Sequence, residues 1–371
     1  MAKRSKRRGK QRAGRRPSPQ LIRGLTAATA LYQDGEIEAA QKALIKLIEQ
    51  YPSSKSALVD LIEISAELQD WRTYAYYAEQ LLPLERGDDK AETLNNLVYA
   101  HSQLVYPALA WYFAKELVTN YPDFPKLKQT QSLLTNLEPK LLEKELFLDK
   151  TAVSPNEKLN FMAQHDHIRF YTESGKGQAA IATAQAFLAK TPDVVPVLNN
   201  LSLAQFMIGE ISQAKATSAK VLAQEPDNYH ALGNLVRYAV LTAQFDEARE
   251  YAERLAQITT DDPDLPIKQA EAFAFLGDDQ KVQAAYERSL GQNSRLDPLL
   301  LYLAGVAAYR LGDEKKAWQL WRKAVKQMPS LHMAQESLAE KRLPVGERNI
   351  PWYWPLPIGS PMIWGNYSIN I

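Results

Sequence analysis

Cysteine is absent from this chain of 371 residues, glycine is scarce, and long apolar runs are missing. Without cysteine there are no disulfides, thiolate metal sites or cysteine nucleophiles. Glycine occurs only 16 times, and this low count together with abundant Ala and Leu favours helix. No stretch approaches the roughly 18 consecutive apolar residues of a membrane helix, and the N-terminus lacks the apolar centre of a secretory signal. We therefore expect a cytoplasmic protein without a transmembrane segment, with a transit peptide as the alternative.

Residues that carry chemistry are also few. The chain has five histidines, and His165 and His167 are separated by one residue, which on a helix points them about 200° apart. That is a poor geometry for a shared metal ion. The Gly-Lys-Gly at 175–177 lacks the glycine spacing and the following Lys-Ser/Thr of a phosphate loop. We therefore predict no catalytic residues, no metal site and no cofactor, and we expect that the chain is not an enzyme.

Positive charge is concentrated at the N-terminus. Residues 1–16 contain nine of the 44 Lys and Arg, and the first acidic residue is Asp34, so the net charge of +1 combines a basic arm with an acidic remainder. We expect residues 1–20 to be disordered, because this segment has too few apolar residues to pack on a core. Such an arm attracts nucleic acid or an anionic surface without sequence specificity, and in a eukaryotic host it also fits a nuclear-import signal. Its predicted polyanion-binding residues are Lys3, Arg4, Lys6, Arg7, Arg8, Lys10, Arg12, Arg15 and Arg16.

A repeat runs through most of the chain. An alanine precedes a proline by twelve residues five times, at 40/52, 110/122, 180/192, 214/226 and 317/329. Successive prolines differ by 70, 70, 34 and 103 residues, which are close to multiples of 34. Glycines at 35, 175, 209, 277 and 312 stand where each predicted hairpin turns into its second helix, the position that a helix C-cap favours. Self-similarity at this period predicts stacked helix pairs.

The repeat resembles the tetratricopeptide repeat family, most clearly at 198–228 and 301–330. The resemblance covers residues 21 to about 341 and implies an all-α, right-handed solenoid of helical hairpins. We expect units near 21–54, 55–88, 91–124, 161–194, 195–228, 229–262, 263–297 and 298–331, and a degenerate pair at 125–157 that Pro139 splits. The predicted organisation is an arm at 1–20, repeats at 21–148, a linker at 149–158, repeats with a capping helix at 159–341, and a tail at 342–371.

In that family the first helix of each unit lines a concave groove, so the resemblance implies that polar residues on these helices contact a ligand. An Asn amide offers both a donor and an acceptor to an extended peptide backbone, and Arg or Lys would hold a carboxylate. We therefore expect an extended, acidic peptide as ligand, although Asn at this position also serves packing between units. The candidate peptide-binding residues are Asn95, Asn96, Arg169, Asn199, Asn200, Asn234, Arg237 and Lys268.

The resemblance does not extend to the family members that grip a C-terminal carboxylate with a set of Lys, Asn and Arg. Asn200 matches one of those positions, but His165, His230 and Asn234 stand where the neighbouring basic residues are expected. We therefore do not expect chaperone-tail binding of that form.

The C-terminal tail at 342–371 differs from the repeats, because four prolines forbid a long helix. It also holds three of the seven Trp, and exposed aromatic surface of that size has to pack on something. We favour a non-helical cap on the last units over a docking peptide for a partner or an interfacial membrane contact. The residues concerned are Pro351, Pro355, Pro357, Pro361, Trp352, Trp354 and Trp364.

Two functions fit these patterns. The first is a non-catalytic scaffold or adaptor that binds a partner protein or peptide in the groove and adds electrostatic contact through the arm. The alternative is a scaffold associated with nucleic acid or the ribosome, in which the arm does the main binding.

Overall fold

The computed structural model describes residues 18–143, 154–291, 296–328 and 331–349. Over these ranges the chain is all-α, with eighteen α-helices and no strand. It divides into two compact units, residues 1–86 (unit 1) and residues 87–371 (unit 2). The basic arm at 1–16 and the tail beyond 349 lie outside the described residues, and the predicted linker at 149–158 stays a prediction.

Unit 1 consists of two helix pairs. Helix α1 starts where Ser18 accepts a hydrogen bond from the Leu21 amide and Pro19 occupies the first turn. The Asp70 side chain caps α4 in the same way. The core lies between the helices and is built from small and branched residues such as Ala40, Leu58 and Ala75. The helices are α1 Pro19–Gln33, α2 Ile37–Gln50, α3 Lys55–Glu67 and α4 Trp71–Leu81, followed by a 3-10 turn at Leu82–Leu84.

Unit 2 continues with further helix pairs. The helices are α5 Gly87–Gln103, α6 Pro107–Asn120, α7 Leu127–Leu142, α8 Pro155–Glu173, α9 Gly177–Leu188, α10 Val195–Met207, α11 Ile211–Gln224, α12 Tyr229–Leu241, α13 Phe245–Gln257, α14 Asp264–Leu276, α15 Asp279–Gly291, α16 Pro298–Arg310, α17 Glu314–Gln327 and α18 His332–Glu340, with a 3-10 turn at Val345–Glu347. From α8 onward the first helix of a pair packs on the first helix of the next, whereas α8 itself packs on α6 and on the single helix α7. Because a single pair cannot bury its apolar face alone, this stacking makes the core continuous from pair to pair. Each of the eight predicted repeats contains two helices, which confirms the helical-hairpin prediction.

The turn inside each pair has one left-handed residue at an equivalent position. Glycine occupies it in five pairs and adopts a positive φ, as predicted from the Gly-containing turns. The other three pairs place a residue with a Cβ there: Gln69 (φ 54°), Val105 (φ 60°) and Ala243 (φ 58°). Non-glycine residues adopt this conformation at a cost of roughly 1–2 kcal/mol. These turns therefore keep the hairpin geometry despite an unfavourable residue.

Close helix approach depends on small residues at the predicted positions. The alanines at 40, 110, 180, 214, 248 and 317 have no exposed surface. In the pairs α3–α4 and α14–α15 the equivalent positions hold Tyr74 and Val282, which are also buried, and both pairs form. The closest approach in the last pair is at Gly305 on α16, where an added Cβ would overlap the indole nitrogen of Trp321 and lie 2.6 Å from Cδ1. The indole instead donates a hydrogen bond to the Tyr302 carbonyl at 3.1 Å.

The prediction of a helix pair split by Pro139 is wrong for the described residues. Pro139 lies inside the last turn of the single helix α7, and the Glu143 amide bonds to its carbonyl at 2.9 Å. A proline near the C-terminal end leaves one helical hydrogen bond unmade, and the helix continues to Leu142. Residues 144–153 are not described, and α8 then begins with a complete capping box between Ser154 and Glu157.

The C-terminal end of the described chain closes over the last pair. Helix α18 packs on α17 at the place where a capping helix was predicted. The following residues turn back: Arg348 donates to Glu314 at 2.9 Å, and its guanidinium lies 5.6 Å from the centre of the Trp318 ring. The part of the tail that is described therefore contacts the last pair, while the Pro/Trp-rich segment lies outside the described residues.

Candidate functional site

A cavity of about 550 Å³ opens between the first helices of successive pairs in unit 2. We name it the unit 2 groove. It is formed by α8, α10, α12, α14 and the start of α16, so residues from five pairs meet there. Its lining is His165, Arg169, Thr172, Glu173, Val195, Pro196, Asn199, Asn200, Leu203, Glu225, Asn228, His230, Asn234, Asp264, Ile267, Lys268 and Asp297.

One row of side chains crosses the groove at the repeat spacing. His165, Asn200, Asn234 and Lys268 follow one another at intervals of 35, 34 and 34 residues and therefore occupy equivalent places on four successive first helices. Asn200 Nδ2 lies 3.1 Å from His165 Nε2 and donates to the Pro196 carbonyl at 3.0 Å. The row presents amide and imidazole groups, each of which can donate and accept.

A second amide pair lies beside this row. Asn199 Nδ2 donates to Asn228 Oδ1 at 3.1 Å. Asn228 is the N-cap of α12, since its Oδ1 also accepts from the Ala231 amide at 2.9 Å, and its Nδ2 donates to Glu225 at 2.7 Å. The buried Asn199 Oδ1 atom accepts no hydrogen bond from the described residues. Because this atom is buried, a ligand amide could supply the missing donor only after the Asn199 side chain moves.

Both cations of the groove are compensated by acids of their own helix. Arg169 lies 3.3 Å from Glu173 and 3.5 Å from Asp166, with its guanidinium 5.3 Å from the centre of the Tyr106 ring. Lys268 donates to Glu271 at 2.9 Å. An incoming carboxylate would therefore compete with acids that are already in place.

The two histidines of the groove are neutral over the physiological range. Burial lowers the pKa of His165 to about 4, with a further contribution from Arg169. Burial also lowers the pKa of His230 to about 3, and nearby Lys268 adds to that shift. Desolvation disfavours the imidazolium in both cases. The imidazoles thus contribute hydrogen-bonding capacity without charge.

Carboxylates outnumber cations in the lining. Two cations face four acids, Glu173, Glu225, Asp264 and Asp297, while the histidines are neutral. Burial raises the pKa of Asp264 and of Asp297, and the charge of Asp264 adds to the shift of Asp297, while Lys268 and Arg169 oppose the shift of Asp264. The expectation of an acidic peptide is therefore not supported by this lining.

The structure brings together five of the eight predicted groove residues and leaves three outside. Arg169, Asn199, Asn200, Asn234 and Lys268 line the groove. Asn95 and Asn96 lie on α5 and are not part of the lining. Arg237 is only 6% exposed, because its side chain turns towards α14, where Glu271 lies 4.0 Å away and the Phe275 ring centre 5.2 Å away. Its predicted role at the groove surface is corrected to packing between α12 and α14.

Several lining residues were missed by the sequence prediction. Pro196, His230 and Asp264 are spaced by 34 residues and form a second row of equivalent positions. That spacing is visible in the sequence, but the prediction rested on Asn and basic side chains alone. Asp297 was not distinguishable from an ordinary helix cap, which it also is, since it accepts from the Leu299 amide at 2.7 Å.

Unit 1 has a smaller cavity of about 210 Å³ between its own first helices, α1 and α3. Its apolar floor includes Leu44 and Ile64, and its rim holds Asp60, Glu63 and Glu67 without a basic residue. Tyr32 donates to Glu67 at 2.8 Å. Burial raises the pKa of Asp60, and Glu63 adds to the shift.

Among the described residues no group of three or more His, Asp or Glu has a geometry that could hold a metal ion. None of the described helices is both long enough and apolar enough to cross a bilayer.

Similar solved structures include a tetratricopeptide repeat protein from Parabacteroides merdae, at 12% identity and a TM-score of 0.42 over 87% of this chain and 98% of that chain. The Cut9–Hcn1 hetero-tetramer of the APC/C matches at 15% identity and a TM-score of 0.41, over 86% of this chain and 76% of the other. Yeast Tom70 matches at 13% identity and a TM-score of 0.32, over 87% and 88% of the two chains.

The TPR repeat-containing protein YvcD of Bacillus subtilis (strain 168) is 24% identical over 307 residues. The match covers 80% of this chain and 60% of that relative, so the chain spans well under the whole length of the relative. Tetratricopeptide repeat family models match residues 25–81 in unit 1 and residues 209–271 in unit 2. Together with the helix pairs at 34-residue spacing, these matches identify the chain as a tetratricopeptide repeat protein.

Proposed function

We propose that this chain is a non-catalytic adaptor that holds an extended segment of a partner protein in the unit 2 groove. The observation that carries the proposal is the row of His165, Asn200, Asn234 and Lys268 at equivalent places on four helices. An extended backbone repeats its donors and acceptors at regular intervals, and a regular row of amide and imidazole groups can pair with them without reading its sequence.

The second amide pair supports the same function. The Asn199 Oδ1 atom is buried and lacks a donor among the described residues, and an unmade hydrogen bond of this kind costs roughly 1–3 kcal/mol. A change in the Asn199 side-chain conformation would expose this atom, and a peptide N–H in the groove would then recover that free energy. Binding would then come from many small contributions along the groove rather than from one anchor.

The basic arm and the cytoplasmic location are also part of this proposal. The basic residues of the arm would add electrostatic attraction to nucleic acid or an anionic surface, and the protein would act in the cytoplasm. Support for the arm comes from its sequence alone, because residues 1–16 lie outside the described part of the chain. None of the described groups favours nucleic acid as the ligand of the groove, where acids outnumber bases.

The test is affinity capture from native lysate with the full chain, with and without nuclease. The groove variant is Asn200→Ala with Asn234→Ala, and its matched control is Asn120→Ala with Asn136→Ala, two exposed amides on α6 and α7 outside the groove. We expect the groove variant to lose at least about tenfold in recovery of a specific protein, because two of the four side chains of the row are removed, while the control captures it normally despite nuclease. A catch that nuclease abolishes, or that the groove variant retains, would contradict the adaptor proposal.

A further inference from the structure

We infer that the segment bound by the unit 2 groove is basic and places a lysine or arginine side chain between Asp264 and Asp297. This inference rests on the proposed function, because it names the chemistry of the partner segment. It reverses the expectation from the sequence, in which Arg169 and Lys268 pointed to an acidic ligand.

The first step concerns the charges that are free to meet a ligand. Arg169 already contacts Glu173 and Asp166, and Lys268 contacts Glu271. A ligand carboxylate would have to displace these partners, and the displaced acids would then repel it. The cations of this groove are therefore largely used within the chain.

The second step concerns the carboxylates of the groove. Asp264 begins α14 and Asp297 caps α16, so the starts of two successive first helices bring both carboxylates to the same end of the groove. Their side chains form no ion pair within the described residues, and Glu271 and Asp264 both add negative charge near Asp297. Lys268 and Arg169 partly offset the charge of Asp264, whereas none of the described cations acts on Asp297. A cationic group placed there would therefore be attracted most strongly by Asp297.

The third step concerns the neutral part of the lining. His165 and His230 carry no charge at neutral pH, and Asn200 and Asn234 are amides. They can pair with the backbone of the segment and add nothing to the charge balance. The backbone of the partner segment would thus lie along the amide row, while its lysine or arginine side chain contacts the acids at the Asp264 end of the groove.

The cavity of unit 1 provides an independent observation of the same sign. Its rim has Asp60, Glu63 and Glu67 and no basic residue. Both cavities on first-helix faces are therefore acidic, although their residues differ in type and position. A partner with a run of basic residues satisfies both, whereas an acidic partner satisfies neither.

The experiment uses fluorescent 12-residue peptides with alternating Ala and Lys, Ala and Gln, or Ala and Glu, all acetylated and amidated to remove terminal charge. Binding to the full chain is measured by anisotropy at about 150 mM salt, where surface charges are screened beyond roughly 8 Å. The groove variant is Asp264→Asn with Asp297→Asn, in which Asn retains the cap of α16. The control is Asp246→Asn with Asp278→Asn, which removes two charges from the second helices of the same unit.

We expect the lysine peptide to bind at least about tenfold tighter than the glutamine peptide, and the groove variant to abolish that advantage while the control keeps it. The glutamate peptide reports on the basic arm, and its binding should not change between the variants. A lysine peptide that does not bind, that binds no tighter than the glutamine peptide, or that ignores the groove variant overturns the inference. A glutamine peptide that binds in an Asn200-dependent way would in that case leave the adaptor proposal standing, so the two failures are distinguishable.

Discussion

Replacement of Gly305 by alanine should destabilise the last helix pair, although alanine is normally the better residue in a helix. Its new Cβ would lie 2.6 Å from Cδ1 and 2.9 Å from Cε2 of Trp321, a side chain without exposed surface. The indole is a rigid plane fixed by its hydrogen bond to the Tyr302 carbonyl. Unlike Leu or Ile, the indole has no terminal methyl group that could rotate away from the new Cβ. Either α16 and α17 must separate, or the indole must leave its place.

The magnitude follows from three contributions. Overpacking of a core typically costs about 1–3 kcal/mol, and a buried indole N–H that loses its acceptor costs about 1–3 kcal/mol more. The higher helix propensity of alanine returns about 1 kcal/mol. We therefore expect Gly305→Ala to lower the free energy of unfolding of this pair by about 3 kcal/mol.

The matched control is Gly233→Ala on α12, where an added Cβ has nothing within 4 Å. It should stabilise its helix by about 0.5–1 kcal/mol, since only the propensity term applies. Urea unfolding followed by circular dichroism and tryptophan fluorescence measures both variants, and hydrogen exchange at α16 and α17 localises the effect, because repeat arrays do not always unfold in one step.

The reasoning is refuted if Gly305→Ala is as stable as the wild type or follows Gly233→Ala. A second check is Trp321→Phe, which shortens the ring that the new Cβ would meet. In that background the cost of Gly305→Ala should fall by about 1 kcal/mol or more, because the two positions are in contact and their effects are not additive.

Three further results are expected. Ala243→Gly should raise stability by about 0.5–1 kcal/mol in urea titrations, because an exposed alanine then no longer has to adopt φ 58°; a loss would show that the turn is not strained. Tyr238→Phe should lower the free energy of unfolding by about 1–2 kcal/mol in the same assay, because the buried Tyr238 hydroxyl lies 3.0 Å from Ser202 Oγ. An unchanged urea midpoint would show that this hydrogen bond makes no net contribution to stability. The pKa is lowered to about 4 at His165 and to about 3 at His230, whereas a histidine of the unfolded chain has its ordinary pKa of 6.5. Below pH 6.5 the unfolded chain therefore binds more protons than the native chain. The free energy of unfolding is then unaffected by these two groups above pH 6.5 and falls as the pH drops towards 4. Replacement of both histidines by Gln should flatten the melting temperature over that window, and an equally steep profile in the variant would contradict the assignment.

The helix pairs could be predicted because their signals are local and repeated. A glycine at a hairpin turn and an alanine at a helix crossing recur at the same spacing, so each unit supports the assignment of the next. The prediction held even at Tyr74 and Val282, where the small residue is replaced. The helix pair forms at both positions with the larger side chain buried.

The region around Pro139 could not be predicted by the same means. A proline in a helical pattern usually marks an end, because it lacks an N–H and crowds the carbonyl four residues earlier. In α7 the chain stays helical for one more turn despite that lost hydrogen bond. Sequence periodicity does not show how many turns follow a proline. The single helix α7 is the result.

For the groove, the sequence indicated three of the five amides correctly and misplaced Asn95, Asn96 and one base. Asn200 and Asn234 are separated by one repeat and line the groove, as predicted for first-helix positions. Arg237 is less than one turn away from Asn234, yet it faces the next first helix and meets Glu271, exactly one repeat farther along the chain. Whether a helical position faces a cavity or a neighbour depends on packing angles that a 34-residue period does not specify.

The acidic character of the groove was missed for a related reason. Asp264 and Asp297 stand at helix starts, where acids are expected as caps. Only the structure shows that two such starts meet at one end of the groove and that burial raises the pKa of both carboxylates. A capping role and a recognition role are compatible, since a cap uses one oxygen and leaves the other to a ligand.

The cover formed by α18 and the turn at Arg348 has a consequence for self-association. A stack of helix pairs ends in a face that resembles the surfaces buried between its own units, and such a face can receive the start of another copy. That contact is head-to-tail, and because it does not close it would extend into a filament. By occupying the outer side of α17, with Arg348 held between Glu314 and Trp318, the chain blocks growth from this end of unit 2. A truncation that removed α18 would therefore make the chain polymerise at high protein concentration, and its stability would then depend on that concentration.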